Sequence, residues 1–271
     1  MCNEAFDGRP FADMCRAIRA AGYTGIEIAP FTLAPDPLEI SAADRRQYRD
    51  AMASEGLEFA GLHWLMVSPK GLHLTAPDAA LRRRSWGHIR NLVDLCADLG
   101  PSGVMVLGSP KQRCATGGLT VAEATRLLAD GLASVAPHAA GRGVTLLLEA
   151  LPAKQCDVVQ TLAEAVAIVK EVASAGLATM FDVHNAIDEA APHSRLIEKY
   201  FAYIRHVHVN ELDGGHCGSG DYDFAPILGT LARLGYGGWV SLEAFDFSPG
   251  AERLAGESLR HLEQAIERTA A

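Results

Sequence analysis

Four residues carry the strongest chemical signal in the chain: Glu149, Asp182, His208 and Glu243. Each closes a short apolar stretch. The stretches are Val144-Thr145-Leu146-Leu147-Leu148, Ala178-Thr179-Met180-Phe181, Ile204-Arg205-His206-Val207 and Trp239-Val240-Ser241-Leu242, and the four polar residues follow one another at intervals of 33, 26 and 35. Three carboxylates and an imidazole are metal-ligand types. An oxygen-rich set with one nitrogen favours Mn²⁺ or Mg²⁺ and is compatible with Co²⁺ or Zn²⁺. The competing reading is a buried salt-bridge network. No Lys or Arg closes any of the four stretches, and buried carboxylates left without a cation are costly. A divalent ion is therefore the natural counter-charge, and two of the carboxylates can serve as acid and base.

These side chains meet only if the four stretches are neighbouring strands of one parallel sheet. One phrase recurs along the chain: a helical pattern ending in Gly, two or three residues, then an apolar run. It occurs at Gly22, Gly56, Gly100, Gly141, Gly176 and Gly235, where Gly suits a left-handed helix end. Ser41 with Asp44, Thr120 with Glu123 and Thr161 with Glu164 fit capping boxes. The apolar runs predict strands over about 1–5, 25–29, 59–64, 104–108, 144–149, 178–182, 204–209 and 239–243. Helices are predicted over about 11–21, 42–55, 78–99, 120–141, 161–175, 193–202, 224–234 and 250–269. Eight alternating units predict an α/β chain folded as a single (β/α)8 TIM barrel, one domain over 1–271. An open doubly wound sheet would need a glycine-rich phosphate loop after its first strand. Cys2-Asn3-Glu4-Ala5-Phe6-Asp7-Gly8 contains none. The connections leaving the strands are long and those entering them short, which places an active site at the carboxyl rim.

Composition bounds the partners. The 271 residues are 49% hydrophobic and 21% charged, ordinary for a globular protein. A formal net charge of −9 disfavours nucleic acid, and Arg82-Arg83-Arg84 reads as a solvated helix face. No apolar run reaches the roughly 18 residues that span a bilayer, and no signal peptide opens the chain. The expectation is a cytoplasmic protein with no membrane partner. The six cysteines lack a CxxC spacing and read as reduced thiols.

The sequence resembles the xylose isomerase-like barrel superfamily of sugar isomerases and epimerases. It lies close to the tagatose/psicose 3-epimerase and hydroxypyruvate isomerase branches. The resemblance spans the chain and is strongest at Leu148-Glu149, Phe181-Asp182, His206-Val207-His208 through Glu211, Gly218-Ser219-Gly220-Asp221 and Ser241-Leu242-Glu243. It implies that Glu149, Asp182, His208 and Glu243 bind the metal and that Glu149 and Glu243 are also the catalytic acid–base pair. It further implies a small carbohydrate substrate and a homo-oligomer. The implied function is a divalent-metal-dependent isomerase or epimerase of a sugar or sugar derivative. In such chemistry a chelated ketose loses its α-proton to one carboxylate, and the cation balances the charge of the resulting cis-enediolate. Return of the proton to the opposite face epimerises the carbon.

Substrate contacts are less sharply drawn. The family usually places a substrate-contacting His three residues after this Asp. Asn185 stands there, and His184 is the candidate for that contact. Glu211, three residues after His208, is either an acid near the site or a solvated loop residue. His63 is either a rim group or a satisfied core histidine, and His206 reads as core. Lys111 and Arg113, in the loop after residues 104–108, suit an anionic group; a surface loop cation is the alternative. Glu4 and Glu27 are candidates for binding substrate hydroxyls, and Trp64 and Phe245 for an apolar wall. The loop Asp213-Gly214-Gly215-His216 lacks the Arg that the family often carries there. An inosose-type dehydratase shares the same barrel and metal logic. An AP endonuclease would need a further His at Leu107-Gly108-Ser109 and an Asp-x-His where Asp221-Tyr222-Asp223 stands. A non-catalytic sugar-binding barrel would have little use for the intact ligand set.

Overall fold

The computed structural model describes residues 1–270. Seven strands form one all-parallel sheet in chain order: β1 Gly25–Ile28, β2 Glu58–Leu62, β3 Val104–Leu107, β4 Thr145–Leu148, β5 Leu177–Asp182, β6 Ile204–Val209 and β7 Val240–Leu242. The first predicted strand differs. Residues 1–3 supply only a parallel bridge, Cys2 to Glu27, and Glu4–Phe6 turn into 3₁₀ helix. That bridge nonetheless fills the eighth position. Cys2 N donates to Leu242 O, Asn3 N to Glu27 O and Glu27 N to Met1 O, so the segment stitches β7 to β1 and closes the barrel. The buried Asn3 side chain locks it, accepting from Ala29 N at 2.8 Å and donating to Thr32 Oγ1 at 2.8 Å. A polar amide that must satisfy itself there leaves little room for regular pairing.

The helices are α1 Phe11–Ala20, α2 Ala42–Ser54, α3 Ala79–Leu99, α4 Pro110–Arg113, α5 Val121–Gly141, α6 Leu162–Val172, α7 His193–Tyr200, α8 Ala225–Arg233 and α9 Ala251–Ala270. They pack around the sheet, and α9 returns beside α1. All three predicted capping boxes form, each satisfying two backbone donors at a helix start. α4 was not expected, because Gly108-Ser109-Pro110 reads as loop. Three glycines act otherwise than expected, and the first, Gly100, closes α3 with an extended backbone at φ 179°. Gly141 is helical, and the left-handed turn falls to Gly143. Gly176 is needed for close approach, since a Cβ there would lie 2.0 Å from Ala136 O.

Period-two alternation divides each strand between two cores. Met105, Leu107, Leu146 and Leu148 pack outward against the helices. Val104, Val106, Leu147, Ala178 and Met180 form a separate cluster inside the barrel. The same parity turns Glu27, His63, His206 and His208 inward, so one side of the barrel interior is apolar and the other polar. All six cysteines are free thiols, with Cys15 and Cys96 buried in their helices.

Candidate active site

Register brings the four ligand-type residues together at the carboxyl rim. Asp182 pairs with His208 across β5 and β6, while Glu149 and Glu243 follow the last residues of β4 and β7. One donor atom from each lies within 4.8 Å of the other three, and all four residues are buried. His208 Nδ1 lies 3.1 Å from Glu243 Oε2 and 3.5 Å from Asp182 Oδ2. Neither Lys nor Arg pairs with these carboxylates among the described residues. The strain shows in Glu149: burial, then the charges of Asp182 and Glu243, push its carboxyl up to about 8. Burial disfavours the His208 imidazolium, yet Glu27 and Glu243 outweigh it and hold the ring well above its usual range. A buried cluster that must take up protons to relieve its own repulsion fits a divalent cation. Mixed oxygen and nitrogen donors suit one.

The supporting contacts divide the oxygens. His208 Nε2 lies 3.0 Å from Glu27 Oε1, which leaves Nδ1 facing the carboxylates. A carboxylate behind a ligating imidazole fixes its tautomer and orientation. Glu27 itself is fully buried. Burial would raise its carboxyl, but His206 and His208 override this and hold it well below the usual range. Asn185 donates from Nδ2 to Glu149 Oε1 at 2.9 Å and from its backbone to Asp182 Oδ1 at 2.7 Å. Asn210 Nδ2 reaches Asp182 Oδ2 at 3.4 Å. Trp64 Nε1 donates to Glu243 Oε1 at 2.8 Å. Glu149 Oε2 lies over Gly108, where a Cβ would come within 2.1 Å of it.

Above the cluster opens a cavity of about 550 Å³, lined among others by His63, Trp64, Lys111, His184, Asn185 and Phe245. Trp64 and Phe245 stand side by side in this lining, with ring centroids 6.2 Å apart. His184 stands against Phe245, and its Nδ1 donates to Leu212 O at 2.7 Å. His63 reaches the cavity but is held from behind by Glu4, Nε2 to Oε2 at 2.7 Å.

Several expected contacts are placed elsewhere. Arg113 is fully buried and does not line the cavity. Its guanidinium clamps the carbonyls of Leu107, Glu149 and Val159, because the short helix α4 turns it inward beneath the rim. Glu211 is likewise buried beneath its own loop. It accepts from Gly218 N at 2.8 Å and Tyr222 N at 3.1 Å, and Gly220 is small because a Cβ would lie 2.6 Å from Glu211 Oε2. The Gly218-Ser219-Gly220-Asp221 motif therefore wraps a carboxylate. Glu4 is paired with His63, and Glu27 with His206 and His208. Sequence reasoning missed Gly108, Lys70, Ser109, Gln112 and Gln155. Of these only Gly108 carried a readable signal, as a glycine closing a strand at the functional rim.

A 26% identical relative over 260 residues is a ketose 3-epimerase from Arthrobacter globiformis, the match covering 93% of this chain and 84% of that protein. An L-ribulose 3-epimerase from Mesorhizobium japonicum is 28% identical over 230 residues, covering 84% and 73%. Two solved structures share the fold. An L-ribulose 3-epimerase superposes with a TM-score of 0.84 at 21% identity, covering 100% of this chain and 94% of that one. A 3-keto-D-glucoside 4-epimerase from E. coli gives 0.82 at 19% identity, covering 97% and 98%. With residues 15–265 matched by the family model described as xylose isomerase-like TIM barrel, and with the barrel in place, the chain belongs to that family.

Proposed function

We propose that this chain is a divalent-metal-dependent ketose isomerase or epimerase, working as one barrel domain. The observation that carries the reading is the buried convergence of Glu149, Asp182, His208 and Glu243 at the floor of an open cavity. The names of the relatives, ketose 3-epimerase and L-ribulose 3-epimerase, support a ketose as substrate. Mn²⁺ or Mg²⁺ suits the donor set best. Bound there, the cation supplies positive charge to the oxygens of a substrate enediolate.

The remaining work falls to side chains of the chain. Glu149 and Glu243 stand on strands three apart and are the acid–base pair. Each has one oxygen engaged by a neutral donor, Asn185 Nδ2 for Glu149 and Trp64 Nε1 for Glu243, which holds the carboxylate in place for proton transfer. The aromatic wall of Trp64 and Phe245 excludes water from the reacting carbon. Abstraction by one carboxylate and return by the other to the opposite face of the same carbon inverts it; return on the same face to the neighbouring carbon, with the hydroxyl proton passing to the former carbonyl oxygen, interconverts aldose and ketose.

Incubating the Mn²⁺-loaded protein with a panel of ketoses in D₂O tests the reading. Deuterium is expected at one carbon of a single substrate class. Glu149→Gln and Glu243→Gln should each lower that exchange by roughly 10²-fold or more, the usual worth of a positioned acid or base. Exchange unchanged in both variants would falsify the assigned pair.

A further inference from the structure

The cavity floor is acidic, but one wall of the cavity is not. The chain has 19 arginines and only five lysines, Lys70, Lys111, Lys154, Lys170 and Lys199. Lys70 and Lys111 line the cavity, from the loops after β2 and β3. Lys170 and Lys199 lie elsewhere, over the rings of Tyr203 and Tyr200. Ion pairs among the described residues are made by Arg and His, never by Lys. The two cavity lysines are therefore uncommitted charges in an acidic protein.

A second feature stands beside them. Ser109 lines the cavity with φ +48°, a left-handed conformation uncommon outside glycine. Its Oγ is shielded from solvent yet has no hydrogen-bond partner. With no surface to offer the cavity, this hydroxyl is no ligand contact; the left-handed turn at Ser109 starts α4 and so sets Lys111 at the wall. The rim carboxylate, Asp213, sits across the cavity on the loop after β6 and is tied to Gly215 N at 2.9 Å. Charge thus runs from an acidic floor and far rim to a cationic near wall. An anion placed on the floor would meet Glu149 and Glu243, whereas the near wall offers two ammonium groups.

We propose that the substrate carries an anionic group, a carboxylate or a phosphate, received by Lys70 and Lys111. This rests on the ketose isomerase reading above and names its substrate class. The charge pattern orients the molecule, anion toward the β2–β3 side and carbonyl end toward the buried cluster.

The test compares D-fructose, D-fructuronate and D-fructose 6-phosphate by solvent-deuterium exchange on the Mn²⁺-loaded protein. One of the two anions is expected to exceed D-fructose in kcat/KM by about tenfold or more, and which one does so separates carboxylate from phosphate. The double variant Lys70→Met/Lys111→Met should lower that anion-to-neutral ratio by about tenfold, chiefly through KM. Lys154→Met, outside the cavity lining, should leave the ratio unmoved. A wild-type ratio at or below one, or a ratio the double variant does not change, overturns the proposal. If none of the three sugars exchanges deuterium, the isomerase reading suffers, and charge preference is then read by calorimetry with D-glucitol 6-phosphate and D-glucitol. Tighter binding of the phosphate that the double variant abolishes supports the anion wall; equal binding in the wild type overturns it.

Discussion

At the residue scale the candidate site works by dividing labour between the atoms of single side chains. His208 turns Nδ1 to the carboxylates and Nε2 to Glu27, so Glu27 sets which nitrogen is free to bind a cation. Glu27→Gln keeps the volume and removes the negative charge. It is expected to weaken Mn²⁺ binding by roughly 10–100-fold while leaving the fold intact, as read by metal titration beside circular dichroism. An affinity unchanged in this variant would mean that the buried pair only fills the barrel. Protonation provides a second check. Glu149 titrates near 8 without metal, because burial and the neighbouring carboxylates disfavour its charged form. Its folded value lies above the unfolded one, so this group stabilises the metal-free protein below about pH 4.5, and that contribution is lost as pH rises toward 8. A cation reverses the preference. Metal affinity should therefore climb with pH up to about 8, and binding at pH 7 should release at least about one proton, measured by calorimetry in two buffers of different ionisation enthalpy. Proton release near zero would contradict the pKa assignment.

At the element scale, what matters is how each strand ends. β3 passes into α4 through Gly108 and Ser109, and that short turn both clears space for Glu149 Oε2 and swings Arg113 under the rim to hold the Glu149 carbonyl at 2.7 Å. Gly108→Ala would bring its Cβ within 2.1 Å of that oxygen. The expected outcome is loss of metal binding by an order of magnitude or more with a melting temperature close to wild type, since the site and not the core is displaced. A large drop in melting temperature with binding retained would place the glycine's role in folding instead. The loop after β6 follows the same logic, folding around the buried Glu211 carboxylate and leaving Asp213 at the rim.

At the scale of the whole molecule, closure of the barrel is uneven. β4 and β5 are joined by a regular ladder, whereas β7 and β1 meet only through residues 1–3. Local opening costs least where backbone pairing is sparse. Native-state hydrogen exchange should find the amides of Cys2, Asn3 and Glu27 exchanging before those of Leu146, Leu147 and Leu148. Equal protection would show that the side chain of Asn3 and the inner polar network make the seam as firm as the sheet.

Seven of the eight predicted strands, their order, the capping boxes and the four rim residues were legible in the sequence, while the first predicted strand is reduced to a bridge. Each depends on a period, a cap or a strand end, which are local properties of the chain. The identity of the partners was not legible, because partnership depends on which side chains meet across the barrel. Arg113 and Lys111 are two residues apart in one loop, and only the fold of α4 buries one under the rim and leaves the other at the cavity. Glu27 reads like a rim carboxylate until β6 is placed beside it across the barrel, where it becomes the support of His208. Lys70, Ser109 and Gln155 lie on separate loops with no shared pattern. The sequence by itself determined the barrel and the four rim residues, because hydrophobic periodicity and strand ends are written in order along the chain. Tertiary structure alone decided which charges are paired and which are free, because burial and distance between remote segments set the cost of every charge.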